Sequence, residues 1–169
     1  MNWKAIFYRF ILKTTGHKRY KYFTILQDIL FNGKAIDFQH QKLLDLLIHC
    51  EKYVPYYKNI FQKINYFPSK DGLVIEKFIK IPPIDKQTVR EQRVRLLSNS
   101  FSKKELIKET TGGSTGEPLN IYVCKDSIEW NRAGEWCRNL LGGWQFGDKI
   151  VVFWGNPHDL KLYYKFQKK

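Results

Sequence analysis

The segment "TTGGSTGEP", residues 110–118, lies between two runs that read as strands, "ELIKETT" and "LNIYV". In the second run Leu119, Ile121 and Val123 alternate with Asn120 and Tyr122, the period of two that marks a strand. A hairpin connection needs only one or two glycines at defined positions. This loop carries three glycines (Gly112, Gly113, Gly116) and four hydroxyls (Thr110, Thr111, Ser114, Thr115), more than a chain reversal requires. Glycines let successive backbone N–H groups converge on an anion, and hydroxyls add further donors. The segment therefore reads as a strand–loop–strand turn built to hold phosphate oxygens. It is not a Walker A loop: no Gly-Lys-Ser/Thr run is present, and a strand rather than a helix follows. Without a helix dipole or a lysine in the loop, charge neutralisation falls to Mg²⁺ and to basic residues elsewhere in the chain.

Helical patterns precede this loop. Residues 20–31 place Tyr22, Ile25, Leu26, Ile29 and Leu30 in register, and "NGK" at 32–34 ends the helix. Residues 37–53 form the strongest helical segment, with Asp37 as its expected N-cap. Pro55 either stops that helix or opens the next, a short aromatic one over 56–65. "FPSKDG" and "IPPIDK" make 66–85 a turn-rich connector, and "DKQTVREQRVRLLS" follows as a helix capped by Asp85. After the loop, "KDSIEWNRAGEWCRNLLGG" (125–143) is a helix capped by Asp126 or Ser127 and ended by Gly142–Gly143. "GDKIVVFWGN" (147–156) is continuously apolar, as buried parallel strands are. Helices followed by strand–loop–strand–helix–strand point to an α/β fold whose sheet has only begun. The expectation is a single partial domain over 1–169: a helical lead (1–65), a Pro-rich connector and helix (66–104), and the strand–phosphate loop–strand–helix–strand unit (105–169).

A chain of 169 residues with 43% apolar content builds a real core. The net charge of +13 arises from lysines and arginines spread along the whole sequence. It serves solubility, or attraction to nucleic acid, to an anionic membrane face or to a polyphosphate. Cys50, Cys124 and Cys137 lie far apart with no Cys-x-x-Cys spacing, so a reducing, cytoplasmic setting is expected, with neither a disulfide framework nor a zinc site. His17, His40, His49 and His158 are equally scattered and read as surface or packing residues. In "MNWKAIFYRFILK" the apolar stretch is broken by Lys4 and Arg9 and lacks a cleavage site, which excludes a signal peptide. Trp3, Ile6, Phe7, Phe10 and Ile11 share one helix face. That face either docks on the protein's own core or on a partner, or lies in a membrane interface with Lys4, Arg9, Lys13, Lys18 and Arg19 at the headgroups.

The loop "TTGGSTGEP" resembles the signature loop of the adenylate-forming (acyl-activating) superfamily. Its double-Gly form followed by Glu-Pro-Leu is most similar to the phenylacetate–CoA ligase branch, which includes the CapK-like proteins of capsule and polysaccharide biosynthesis. "VPYYK" (54–58), "IPPIDKQTVRE" (81–91) and "GWQFGDKIVVFWG" (143–155) agree in the same order. The resemblance spans most of this chain, and the chain covers well under half of a full family member. It implies the N-terminal portion of the large domain of a ligase that uses Mg-ATP. A carboxylate attacks the α-phosphate to form an acyl-adenylate and pyrophosphate, and a thiol such as coenzyme A then takes the acyl group. By this likeness Thr111, Gly112, Gly113, Ser114, Thr115 and Gly116 would hold the β/γ-phosphates, Thr110 would extend the loop and Pro118 would shape its exit. Lys86 and Arg90 are expected to pack or pair at the surface. The family's adenine-pocket motif, acidic metal ligand, ribose-binding aspartate and C-terminal lysine domain lie beyond the loop and are not found here. No catalytic residue or metal ligand is assigned, and the chain alone is expected to be inactive. The alternative function is a basic binding module for nucleic acid or an anionic membrane, carried by Lys18, Arg19, Tyr20, Lys21 and Tyr22. No RNA- or DNA-binding motif accompanies those residues, which makes nucleic acid the weaker partner. A third reading is a structural partner of a full-length ligase that pairs through an exposed sheet edge.

Overall fold

The backbone changes direction wherever its sequence supplies a stop. Residues 3–111 and 118–151 are described by a computed structural model. In chain order they form α1 (Trp3–Thr14), α2 (Arg19–Phe31), α3 (Ala35–Tyr53), α4 (Pro55–Lys63), α5 (Ile75–Phe78) and α6 (Lys86–Glu91). A 3₁₀ turn (Lys103–Glu105), β1 (Leu106–Thr110), β2 (Asn120–Cys124) and α7 (Lys125–Leu141) follow. The architecture is mixed and helix-rich, with β1 and β2 as an antiparallel pair, the sole sheet among the described residues.

Glycines end two of the helices as expected. Gly33 (φ 68°) follows α2 and lets the Lys34 N–H reach the Ile29 carbonyl at 3.2 Å. Gly143 (φ 91°) does the same after α7, where the Trp144 N–H meets the Asn139 carbonyl at 3.0 Å. Of the two roles open to Pro55, the structure takes the second. It occupies the first turn of α4, while the extended Val54 before it separates α3 from α4.

Three sequence expectations for helix ends are corrected. The helix α3 starts at Ala35, so Asp37 stands in its first turn, where its charge still meets the N-terminal dipole, rather than at the cap. On α7 Cys124 occupies the cap position without a side-chain bond. Asp126 is instead taken by Lys18 and Tyr22, and the Ser127 hydroxyl donates to the Cys124 carbonyl at 3.0 Å. Asp85 does cap α6, accepting the Thr88 N–H at 2.7 Å, but the helix ends at Glu91 instead of running on through Leu97. The reason is tertiary. The Arg95 carbonyl accepts the Tyr56 N–H from the first turn of α4, and the Asn99 N–H donates to the Tyr53 carbonyl in the last turn of α3. Both are helix-end groups with no intrahelical partner.

A fourth correction concerns "GDKIVVFWGN". Its described part, 147–151, is not a strand. Gly147 adopts φ 103°, and a closed turn precedes Lys149. In that turn the Asp148 N–H donates to the Gln145 carbonyl, the Gln145 N–H to the Asp148 carboxylate, and Trp144 Nε1 to the Asp148 carbonyl. Ile150 and Val151 are exposed. Residues 152–156 of that segment lie outside the described residues.

Two apolar clusters hold the elements together. One joins α2 to α7 through Tyr22, Phe23, Ala133 and Cys137, with Trp136, Trp144 and Phe146 packed against them. The other joins α3, α4 and the connector through Leu47, Phe61 and Tyr66, backed by Leu73, Phe78 and Ile81. The first is reinforced by Tyr22 lying flat on Trp130, with ring centroids 4.0 Å apart. It is also flanked by ion pairs. Arg19 donates to Glu129 through Nε (3.2 Å), Nη2 (2.8 Å) and its backbone N–H (2.9 Å). His17 Nδ1 stands 3.1 Å from the same carboxylate. Burial opposes ionisation of Glu129, yet the bonds from Arg19 and His17 and the Arg19 charge bring its pKa from 4.5 down to about 2.

The helix α1 forms as expected but docks by an unexpected side. Ala5 and Leu12 are buried, Tyr8 meets Trp136 and Phe146, and the Arg9 guanidinium lies over the Tyr20 and Phe146 rings. The face of Trp3, Ile6, Phe7, Phe10 and Ile11 points away and is exposed. Small Ala5 lets the helix axis approach its neighbours, which the bulkier stripe does not allow.

Two stability outcomes follow from this packing. Glu129→Gln should lower unfolding free energy by about 2 kcal/mol, because it leaves the half-buried Arg19 without its charged partner. Urea denaturation measures this. Since the folded pKa lies below the unfolded one, the carboxylate's contribution is complete above pH 4.5 and is lost as pH falls toward about 2. The variant's acid denaturation should be correspondingly shallower over that window. Tyr66 is buried, and among the described residues its hydroxyl meets no hydrogen-bond partner. Tyr66→Phe should therefore raise stability by about 1 kcal/mol, visible as a higher midpoint in the same titration.

Candidate functional site

The hairpin pairs Leu106 with Cys124, Ile107 with Val123, Lys108 with Tyr122, Glu109 with Ile121 and Thr110 with Asn120. Pairing continues one step beyond the strands. The Thr111 N–H donates to the Leu119 carbonyl at 2.9 Å, and the Leu119 N–H donates to Thr111 Oγ1 at 3.1 Å. The loop is thus clamped between Thr111 and Leu119, far more widely than in a two-residue turn.

Of the residues singled out in the sequence, the structure places Thr110 and Thr111 at this clamp. Thr110 donates its hydroxyl to Asn120 Oδ1 at 3.3 Å, so its proton is spent on closing the hairpin. Thr111 uses Oγ1 as an acceptor for the Leu119 N–H, and among the described residues nothing takes its O–H. Gly112, Gly113, Ser114, Thr115 and Gly116 lie outside the described residues.

Positive charge gathers on one face of the hairpin. Strand alternation puts Lys108 and Thr110 on the same side as their partners Tyr122 and Asn120. Arg93 reaches this face, donating through Nη2 to Tyr122 Oη at 3.2 Å with its guanidinium 6.0 Å from the ring centre. The Tyr122 hydroxyl is held below its ordinary pKa, first by the bond from Arg93 and then by the charges of Arg93, Lys108 and Lys103. The same cations would attract an anion approaching this face. Lys108 is visible in the sequence as the residue two before Thr110, hence on its face. Arg93 comes from the segment after α6 and carries no sequence signal, because only the long-range fold brings it to Tyr122.

The donor set (hydroxyl O–H, guanidinium and ammonium groups) suits phosphate oxygens. Among the described residues no three His, Cys, Asp or Glu side chains gather to hold a metal ion. The nearest carboxylate along the strand, Glu109, pairs with Ile121 on the opposite face. A cleft of about 340 Å³ lined by Tyr8, Trp136, Trp144 and Phe146 sits at the other end of α7. Among the described residues no helix is long and apolar enough to cross a membrane. No protein-family model, curated protein or solved structure matches the chain.

Removing the guanidinium tests this electrostatic picture. Arg93→Leu should move the Tyr122 hydroxyl pKa upward, toward the ordinary tyrosine value, because the first cause of the shift is deleted. The ring-carbon resonance of Tyr122, followed with pH in tyrosine-labelled protein, reads the change directly.

Proposed function

We propose that this chain is the N-terminal, phosphate-holding part of an ATP-dependent ligase that activates carboxylates. By the likeness of its loop it belongs with the phenylacetate–CoA ligase and CapK-like enzymes linked to polysaccharide or capsule biosynthesis. The observation that carries the reading is the Thr111–Leu119 pairing, which closes the described end of the hairpin beside Lys108 and Arg93, with the glycine- and hydroxyl-rich sequence 112–117 between the two residues.

In that reaction a carboxylate oxygen bonds to the α-phosphorus of ATP and the bond to the β-phosphate oxygen breaks, so negative charge grows on departing pyrophosphate. The chain's own contribution is to bind that charge. The Thr111 hydroxyl and the loop N–H groups would orient the β/γ-oxygens, and Lys108 and Arg93 would supply positive potential. Activation of the acyl group, and its transfer to a thiol such as coenzyme A, need groups that are not among the residues assigned here. A nucleic-acid role is less well supported. Lys18 and Arg19 are engaged with Asp126 and Glu129, Tyr22 is stacked on Trp130, and Tyr20 lies under Arg9. These rings and charges do not form a bare stacking platform.

Hydrogen bonds to a charged ligand contribute about 1.5–3 kcal/mol each, while association costs about 4–15 kcal/mol. Three or four such bonds leave a small surplus, so the chain should bind pyrophosphate or Mg-ATP with a Kd of about millimolar. Titration of labelled protein with pyrophosphate should shift the amide signals of Thr110, Thr111 and Leu119. Gly113→Val, which puts a β-branched side chain into the loop, should abolish the shifts. Wild-type signals that stay fixed at roughly ten times the expected Kd would sink the phosphate assignment.

A further inference from the structure

The apolar stripe of α1 is a motif singled out in the sequence that neither the core nor the hairpin absorbs. Trp3 is 69% exposed, Phe7 58% and Phe10 62%, with Ile6 and Ile11 beside them. A monomeric protein seldom leaves three large aromatics on one face without a use for them. The stripe is not a docking failure, since the same helix is already seated by its other side through Ala5, Leu12, Tyr8 and Arg9. The helix is therefore held on the body of the protein with its most apolar face turned outward.

Charge indicates what covers that face. The first 27 residues contain six lysines and arginines and no aspartate or glutamate. Arg9, Lys18 and Arg19 are occupied by ring or carboxylate contacts within the protein. Lys13 is exposed on α1, a quarter turn from the middle of the stripe, and Lys21 is exposed on α2. With a net charge of +13, a second copy of this chain would be repelled at long range, whereas an anionic surface would be attracted. Trp and Phe over an apolar strip with lysine at its margin are the composition that seats a helix in the headgroup region of a bilayer.

We propose that the exposed face of α1 is a docking surface for an anionic lipid membrane. Trp3, Phe7 and Phe10 enter the interface, and Lys13 meets the headgroups. The seat is peripheral, because the opposite face of α1 remains packed on α2 and on the turn around Phe146.

Co-sedimentation of the full chain with vesicles of equal parts phosphatidylglycerol and phosphatidylcholine tests this. Binding should be strong at low salt, fall by roughly tenfold or more in high salt, and be weak on pure phosphatidylcholine. The triple variant Trp3→Ser, Phe7→Ser, Phe10→Ser should lose roughly tenfold or more of the affinity while keeping its circular dichroism and melting profile, since the face is exposed. Lys13→Glu, which leaves the stripe whole, should also weaken binding. The proposal is overturned if wild type does not bind, if it binds both vesicle types equally, or if wild type and triple variant bind alike. It is overturned as well if the chain is a dimer in solution that the triple variant converts to monomer, which would assign the face to a second copy. Pyrophosphate titration of the triple variant should be unchanged, so loss of membrane binding and loss of the hairpin's phosphate role are separately observable.

Discussion

A carboxylate partly removed from water stays ionised only when cations and N–H groups surround it, and Glu129 meets that condition through Arg19 and His17. This contact ties the start of α2 to the first turns of α7, more than a hundred residues apart in the chain. Lys18 and Tyr22 on Asp126, and Tyr22 on Trp130, extend the same seam. Because β2 runs without a break into α7, the seam also holds one strand of the hairpin. The placement of the strand pair thus depends on a junction that contains none of its residues.

These two features of the described residues, the hairpin face and the α1 stripe, are built by opposite means. The hairpin face of Lys108, Thr110, Asn120 and Tyr122 is polar, and its character comes from cations of separate segments, Arg93 on Tyr122 and Lys108 paired with it. The stripe on α1 is apolar and exposed, and its character comes from residues local to a single helix. Both persist because the packing that orders them lies behind them. For the hairpin this is the α2–α7 seam. For α1 it is the Tyr8, Arg9, Tyr20 and Phe146 group on the far side of the helix.

Helix stops were the most legible part of the chain. Gly33 and Gly143 need a positive φ that other residues adopt at a cost, and Pro55 suits only a first turn, so local chemistry marks each boundary. The strand pair was equally legible, since alternation over "LNIYV" has one physical meaning. Local patterns mislead where a distant group competes more strongly than a near one. Asp126 and Ser127 looked like caps, but Tyr22 and Lys18 took the carboxylate. The helix expected through Leu97 stopped at Glu91 because α3 and α4 offered unpaired backbone groups to Arg95 and Asn99. The apolar run after Gly147 reads as a strand because a sequence pattern registers hydrophobicity and not burial, and in its described part, 147–151, Ile150 and Val151 are exposed and unpaired in any strand.

The sequence by itself determined the hairpin, its glycine and hydroxyl loop, the amphipathic character of α1 and the excess of positive charge. Each is set by residues within a few positions of one another. Only the tertiary structure decided that the Thr110 hydroxyl goes to Asn120 while Thr111 Oγ1 accepts from Leu119, that Arg93 stands on Tyr122, and that α1 docks by Ala5 and Leu12 and leaves Trp3, Phe7 and Phe10 outside. These outcomes turn on which of several chemically equivalent partners comes within hydrogen-bond or van der Waals distance, and distance between remote segments is a property of the packed chain alone.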